Sequence, residues 1–184
     1  MKLSACLISL ALGALGGFVN AQQPAAYAGS YYKRQAIVVT DINRALQLYR
    51  DILGFKPDGG INVSSSDSYV YASLDIPRHA RVRTTALNGG TVQIRTLLLV
   101  EVKGPAIRRN SGLQRSLSVI NANGRFQEII AAATALGLQL KAPSVLVSVN
   151  PADGSGVEQA FKDFDGNPIL LYEFPGRAGI ATPR

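Results

Sequence analysis

The apolar positions of the chain fall into short strand-like runs and two helical stripes. Ala36-Ile37-Val38-Val39 is apolar and largely β-branched, which predicts a buried strand. Thr40 and Asp41 follow, and either can accept a hydrogen bond from the first free N–H groups of a helix. Ile42, Ala45, Leu46, Tyr49, Ile52 and Leu53 then recur at helical spacing and draw one apolar stripe. Gly54 stops the helix where a left-handed residue is favoured, and Phe55 opens the next extended segment. The same order returns further on. Leu117-Ser118-Val119-Ile120 predicts a short strand. After Asn121-Ala122-Asn123-Gly124 a helix starts near Arg125, with Phe126, Ile129, Ile130, Ala133 and Leu136 on one stripe. Leu136-Gly137-Leu138 closes it as Leu53-Gly54-Phe55 closes the first. The two halves read as an internal duplication.

The rest of each half is strand-rich. Lys56 to Ser68 is a Gly, Ser and Asp loop with a ragged strand around Ile61-Asn62-Val63. Tyr69 to Leu74 is strand-like. His79 to Leu87 is a further strand, with Arg81 and Arg83 on one face and Val82 on the other. Asn88-Gly89-Gly90 signals a hairpin. Thr91 to Val102 is a long strand whose Leu97-Leu98-Leu99-Val100 run suits burial on both faces. Gly104 to Gly112 is a polar, basic connector. In the second half Ser144 to Val149, Val157 to Lys162 and Pro168 to Phe174 are strands, separated by Gly-containing turns. This organisation gives one domain over 34–174, made of repeats 34–103 and 113–174, after a flexible leader at 22–33 and before a loose tail at 175–184.

The first residues are expected to be a signal peptide, 1–21: a positive Met1-Lys2, an apolar Ala5 to Leu15, and small residues at Val19 and Ala21 before the cleavage point. The apolar core is too short to span a bilayer. Export to the periplasm or out of the cell is therefore expected, with no stable membrane insertion after cleavage. Cys6, the one cysteine, is lost with the peptide, so no disulfide staples the mature chain. The formal net charge is +7. The basic residues are scattered and lack the aromatic interleaving of single-strand binders, so no nucleic-acid partner is expected. Anionic small molecules suit the charge better.

Several residues together carry a family resemblance. They are Asp41 ahead of the first helix, Tyr49-Arg50-Asp51-Ile52-Leu53-Gly54-Phe55 at its end, and Asp163-Phe164-Asp165-Gly166-Asn167-Pro168 before a last strand that ends Leu171-Tyr172-Glu173. With strand, helix and three strands in each half, the chain from about Arg34 to Phe174 resembles the vicinal oxygen chelate superfamily of glyoxalases, bleomycin-resistance proteins and extradiol dioxygenases. The resemblance implies an α+β fold: two βαβββ repeats forming a curved mixed sheet around a cavity, with the helices outside. It also implies pairing of modules between chains, hence a homodimer. Metal-dependent members hold a divalent ion in the cavity through a His or Gln on the first strand, a His on the matching strand of the second repeat, and Glu on the last strands.

This sequence departs from that ligand pattern. Arg34 stands at the first ligand position, and a guanidinium has no lone pair to give a metal. Gln35 is adjacent but points to the opposite face. Leu170 stands where the last-strand Glu is usual. The second repeat offers Gln114, Arg115 or Leu117, depending on register. The single histidine, His79, lies in neither ligand strand and reads as a loop residue. Asp163, Asp165 and Asn167 read as a hairpin turn rather than a calcium loop. No metal centre and no other cofactor are therefore expected.

What could replace the metal is a set of arginines on or beside strands, Arg34, Arg83, Arg95 and Arg115, holding a carboxylate, phosphate or enolate. Tyr71 and Tyr172 would be aromatic walls, and Glu101 a counter-charge or general base. Two functions follow: a binding protein for a small anionic or aromatic molecule, or a lyase, isomerase or dioxygenase-like enzyme using Glu101 with arginine or a metal recruited in an unfamiliar way. A ligand-free assembly module is a third. The leader yields the first test. Intact-mass analysis of the exported chain should give Gln22 as the first residue; a chain still starting at Met1 would remove the export reading.

Overall fold

A computed structural model describes residues 33–90, 93–104, 116–147 and 154–174. The expected signal peptide, the leader through Tyr32, the connector from Pro105 with Gln114 and Arg115, the end of the strand expected at Ser144 to Val149, and the tail lie outside the described residues.

Strand β1 (Gln35–Val39) leads into helix α1 (Ile42–Leu46), and Asp41 caps it: its Oδ1 accepts from Asn43 N at 2.9 Å and from Arg44 N at 3.2 Å. The helix continues as π-helical turns over Gln47–Ile52, with Leu53 N donating to Leu48 O at 2.9 Å. The wider turn brings Leu48 and Tyr49, neighbours in sequence, both to full burial. A stripe at 3.6-residue period includes Tyr49 and misses Leu48. Then come β2 (Lys56–Pro57), β3 (Asn62–Val63), α2 (Tyr69–Ser73), β4 (Arg81–Asn88) and β5 (Leu97–Lys103). The second half runs β6 (Ser118–Asn121), α3 (Phe126–Ala135), β7 (Ser144–Val147), β8 (Ser155–Lys162) and β9 (Pro168–Glu173).

Two mixed sheets result, one per half. Their orders are β1-β5-β4-β2, with β3 also on β4, and β6-β9-β8-β7. In each, the first strand lies parallel to the last, and the other pairs are antiparallel. The duplication expected from the sequence is thus present as two βαβββ modules. The curved sheet is divided between them.

One core serves both modules. Ile37, Val39, Leu97 and Leu99 of the first sheet and Phe161, Ile169 and Leu171 of the second cluster with Ile42, Leu48, Tyr49, Phe126 and Ile129 of the helical segments. This is the helix side of both sheets.

The segment Tyr69 to Leu74, expected as a strand, is a helix at Tyr69–Ser73. Strand β4 is already paired with β5 on one side and with β2 and β3 on the other, so this segment does not pair with the strand that follows it. It packs instead on the face of the first sheet turned away from α1 and α3, the inner face. There Tyr71, Val70, Leu74 and Ile76 cover Val38, Val82, Leu98, Val100 and Val102, and Tyr71 OH donates to Ala80 O at 2.8 Å. The other helices lie outside as expected; α2 lies inside.

The turn between β8 and β9 ties the modules together. Asp163 Oδ2 accepts from Tyr49 OH at 3.0 Å and from Asn167 Nδ2 at 2.8 Å, and its Oδ1 accepts from the backbone N–H groups of Asp165 and Asn167. Asn167 Nδ2 also donates to Val38 O at 3.3 Å, Thr40 Oγ1 to Asp165 Oδ1 at 2.6 Å, and the Arg44 guanidinium stacks 4.1 Å from the Phe164 ring centroid. Burial pushes the Asp163 carboxyl above its ordinary range, against the downward pull of these donors. Burial and the neighbouring Asp163 charge also hold the Tyr49 phenol well above its usual range.

Each module's last strand carries a carboxylate that holds backbone N–H groups at the start of its own helix. Glu101 Oε1 accepts from Ile42 N at 3.1 Å, and Glu173 Oε2 accepts from Gly124 N and Phe126 N, both at 3.1 Å. Glu101 is fully buried and gripped by the forked guanidinium of Arg83, with Nη2 at 2.8 Å from Oε1. That grip holds the Glu101 carboxyl below the ordinary glutamate range.

Two stability experiments follow. Asp163→Ala should lower unfolding free energy by about 3 kcal/mol and Tyr49→Phe by about 1.5 kcal/mol in chemical denaturation; unchanged stability in both would remove the turn as the tie between modules. Because the folded Glu101 pKa lies below its unfolded value, its contribution is present above the ordinary glutamate range and is lost as pH falls through the folded value. The stability gap between wild type and Glu101→Gln should therefore be full at neutral pH and close on acidification. A gap independent of pH would mean that the charge contributes nothing.

Candidate functional site

The two first strands meet near Gln35 and Ser118, which hold the same place in the two repeats, 83 residues apart. Ser118 Oγ donates to Gln35 Oε1 at 3.0 Å. Beside this contact lies an open depression of about 610 Å³ lined by Arg34, Gln35, Ala36, Ser116, Leu117 and Val119. Strand alternation explains the lining. Ile37 and Val39 point to the helix-side core, so Arg34, Ala36 and Val38 point to the inner face. Ser118 and Ile120 likewise turn towards the core, which leaves Leu117 and Val119 on the inner face, 49% and 58% exposed. Val119 lies beside Leu170 of β9.

The side chains at the ligand positions do not fit the metal ion that the resemblance implies. Arg34 is a fixed cation without a lone pair, and Leu117 and Leu170 are apolar. The carbonyl oxygen of Gln35 already accepts from Ser118. Among the described residues there is no cluster of three His, Cys, Asp or Glu side chains with metal-holding geometry.

Arg34 lines the depression, on the face that its position ahead of Asp41 implied. Tyr172 lies on the inner face of β9, its ring edge-on to Phe174 at 6.3 Å between centroids. The other expected site residues are elsewhere. Arg83 and Glu101 face each other on the helix side, where Glu101 pairs in register with Val39, and both carboxylate oxygens are taken. Arg95 sits in the β4–β5 connection at φ +55°, with Nε on Asp58 Oδ2 at 2.6 Å. Tyr71, on α2, is packed onto the first sheet. His79 is exposed in the loop before β4. Arg115 is outside the described residues. The set is thus not one constellation: Arg34 and Tyr172 share the inner face, and Arg83, Arg95 and Glu101 do not join them. The apolar walls Leu117 and Val119 escaped sequence reasoning as site residues because valine and leucine in a strand signal packing. Matching the parity of the two repeated first strands would have found them.

No protein-family model and no curated protein matches the sequence. Solved structures do match the fold. A glyoxalase family protein from Bacillus cereus shares 14% identity over 80% of this chain and 98% of its own, with a TM-score of 0.54. A glyoxylase/bleomycin resistance protein/dioxygenase domain from Frankia sp. EAN1pec shares 16% identity over 80% of this chain and 99% of its own, with a TM-score of 0.52. With paired βαβββ modules, each with its first strand parallel to its last, the chain has the vicinal oxygen chelate fold of the glyoxalase and bleomycin-resistance proteins.

Proposed function

We propose that this chain is an exported binding protein that holds a small organic anion at Arg34 without a metal ion. The observation that carries the reading is the lining of the depression: the Arg34 guanidinium beside the apolar Ala36, Leu117 and Val119. A guanidinium offers paired N–H donors in the plane of a carboxylate or phosphate and stays charged at every physiological pH. Among the described residues no carboxylate pairs with it. It puts fixed positive charge where the resemblance implies an ion in metal-dependent members, and the net charge, +7 for the whole sequence and about +6 once Lys2 is removed, favours encounter with anions.

The enzymatic alternative needs a base near the ligand. Glu101 lies on the opposite face of the sheet, buried and saturated by Arg83 and Ile42, which gives that alternative no support. A homodimer belongs to the reading. The edge strand β7, with Val145 and Val147 exposed, is consistent with a second copy.

The test is calorimetric titration of the mature chain with benzoate, phenylphosphonate and benzylamine, before and after exhaustive chelation. The two anions should bind with and without chelator, benzylamine should not, and Arg34→Gln should weaken anion binding at least about tenfold with an unchanged melting temperature. Binding lost on chelation and restored by a divalent ion would overturn the metal-free reading. No anion binding at all would overturn the whole proposal.

A further inference from the structure

The two modules share a topology but use their inner faces differently, and the difference says what kind of anion fits. On the first sheet the inner face is closed. Val38, Val82, Leu98, Val100 and Val102 lie under α2 and the chain that follows it, with Tyr71 only 5% exposed. On the second sheet no helix of the described residues covers the same face, and Leu117 and Val119 are half exposed.

From the Arg34 depression this uncovered face runs on as an apolar lane. Val119 of β6 lies beside Leu170 of β9, and Tyr172 follows two residues along the same face. Phe174 continues the line, its ring lying against Gly156 so closely that a Cβ there would come within 2.8 Å of a ring carbon. The glycine lets the aromatic ring approach β8 closely, and Leu146 of β7 pairs with Gly156 in register. Three steps between strands carry the lane roughly 14 Å across the sheet, and Leu170 to Phe174 carries it roughly 13 Å along β9, room for a medium-length acyl chain or a two-ring aryl group. Its far side carries a carboxylate. Glu158, next to Tyr172 in register, accepts from Ser144 Oγ at 2.9 Å on this face.

We infer that the ligand is an amphiphilic monoanion whose charged head sits on Arg34 and whose apolar tail lies across the inner face of the second sheet, over Leu117, Val119, Leu170 and Tyr172. This rests on the proposed function above. Arg34 selects the head by charge, the uncovered lane selects an extended tail, and Glu158 repels a second anionic group at the tail's end. The closed first sheet leaves the tail one side to lie on.

The experiment titrates the mature chain with straight-chain monocarboxylates from butanoate to decanoate, the matched alkylamines, and octanedioate. Affinity for the acids should rise about threefold to fourfold per methylene. The amines should bind at least tenfold more weakly, and octanedioate more weakly than octanoate. Val119→Asn, at an exposed position where folding is not at stake, should flatten the rise with chain length, whereas Val70→Ala, on α2, should not. Short acids bound through Arg34 with no rise along the series would overturn this inference and leave the proposed function standing. A rise unaffected by Val119→Asn but lost in Val70→Ala would place the tail on the first sheet and overturn it too. An equal rise for amines would mean adsorption without head-group selection, which also overturns it. No anion binding at any length would overturn both readings.

Discussion

A buried carboxylate, Asp163, is what both halves of this protein are assembled around. Moving a charge out of water costs several kcal/mol unless donors surround it. Asp163 has four, three from its own turn and one, Tyr49 OH, from the other module. The turn therefore satisfies its charge only when the helical segment of the first module is in place. The same turn reaches Val38, Thr40 and Arg44, so it also fixes the end of β1 and the start of α1. Since β1 carries Arg34 at its other end, the position of the depression depends on a contact made at the far side of the strand.

The remaining polar burial follows the same logic. Glu101 and Glu173 each lie on a last strand and each hold backbone N–H groups at the start of their module's helix. Such groups have no partner within the helix itself. An acidic residue at this point looks like chemistry in a sequence, yet here it joins strand to helix. In the first module Arg83 adds a second, charge-assisted partner, and Lys103 Nζ lies 3.5 Å from the same carboxylate. The arginines thus divide by function: Arg83 and Arg95 pair with carboxylates of the framework, and Arg34 faces the depression.

Features fixed by local chemistry were legible in the sequence. Asp41 caps α1, and Gly54 and Gly137 end the helical segments at φ +82° and +76°. The inward direction of Arg34 was legible because its register is tied to Asp41. Three features were not. Leu48 is buried by a π turn, which breaks the 3.6-residue period used to find a stripe. Tyr69 to Ser73 alternates no worse than a strand, and its place is set by a non-local fact: both sides of β4 are occupied, and the segment packs on the inner face of the sheet as a helix. The direction of Glu101 was hidden because Leu97 to Val102 is apolar on both faces, so no alternation marks which side is which.

The contact between Gln35 and Ser118 joins twin positions of a duplicated unit, and it lies where the two copies meet. Had the twins stayed alike, a cleft there would accept a bound molecule in either of two reversed poses at equal energy. The neighbouring twins are Arg34 and Leu117, a cation facing an aliphatic side chain. That single inequality gives the cleft a direction. Under the proposed function a molecule with unlike ends enters one way round, oriented by a position at which the two repeats differ in charge.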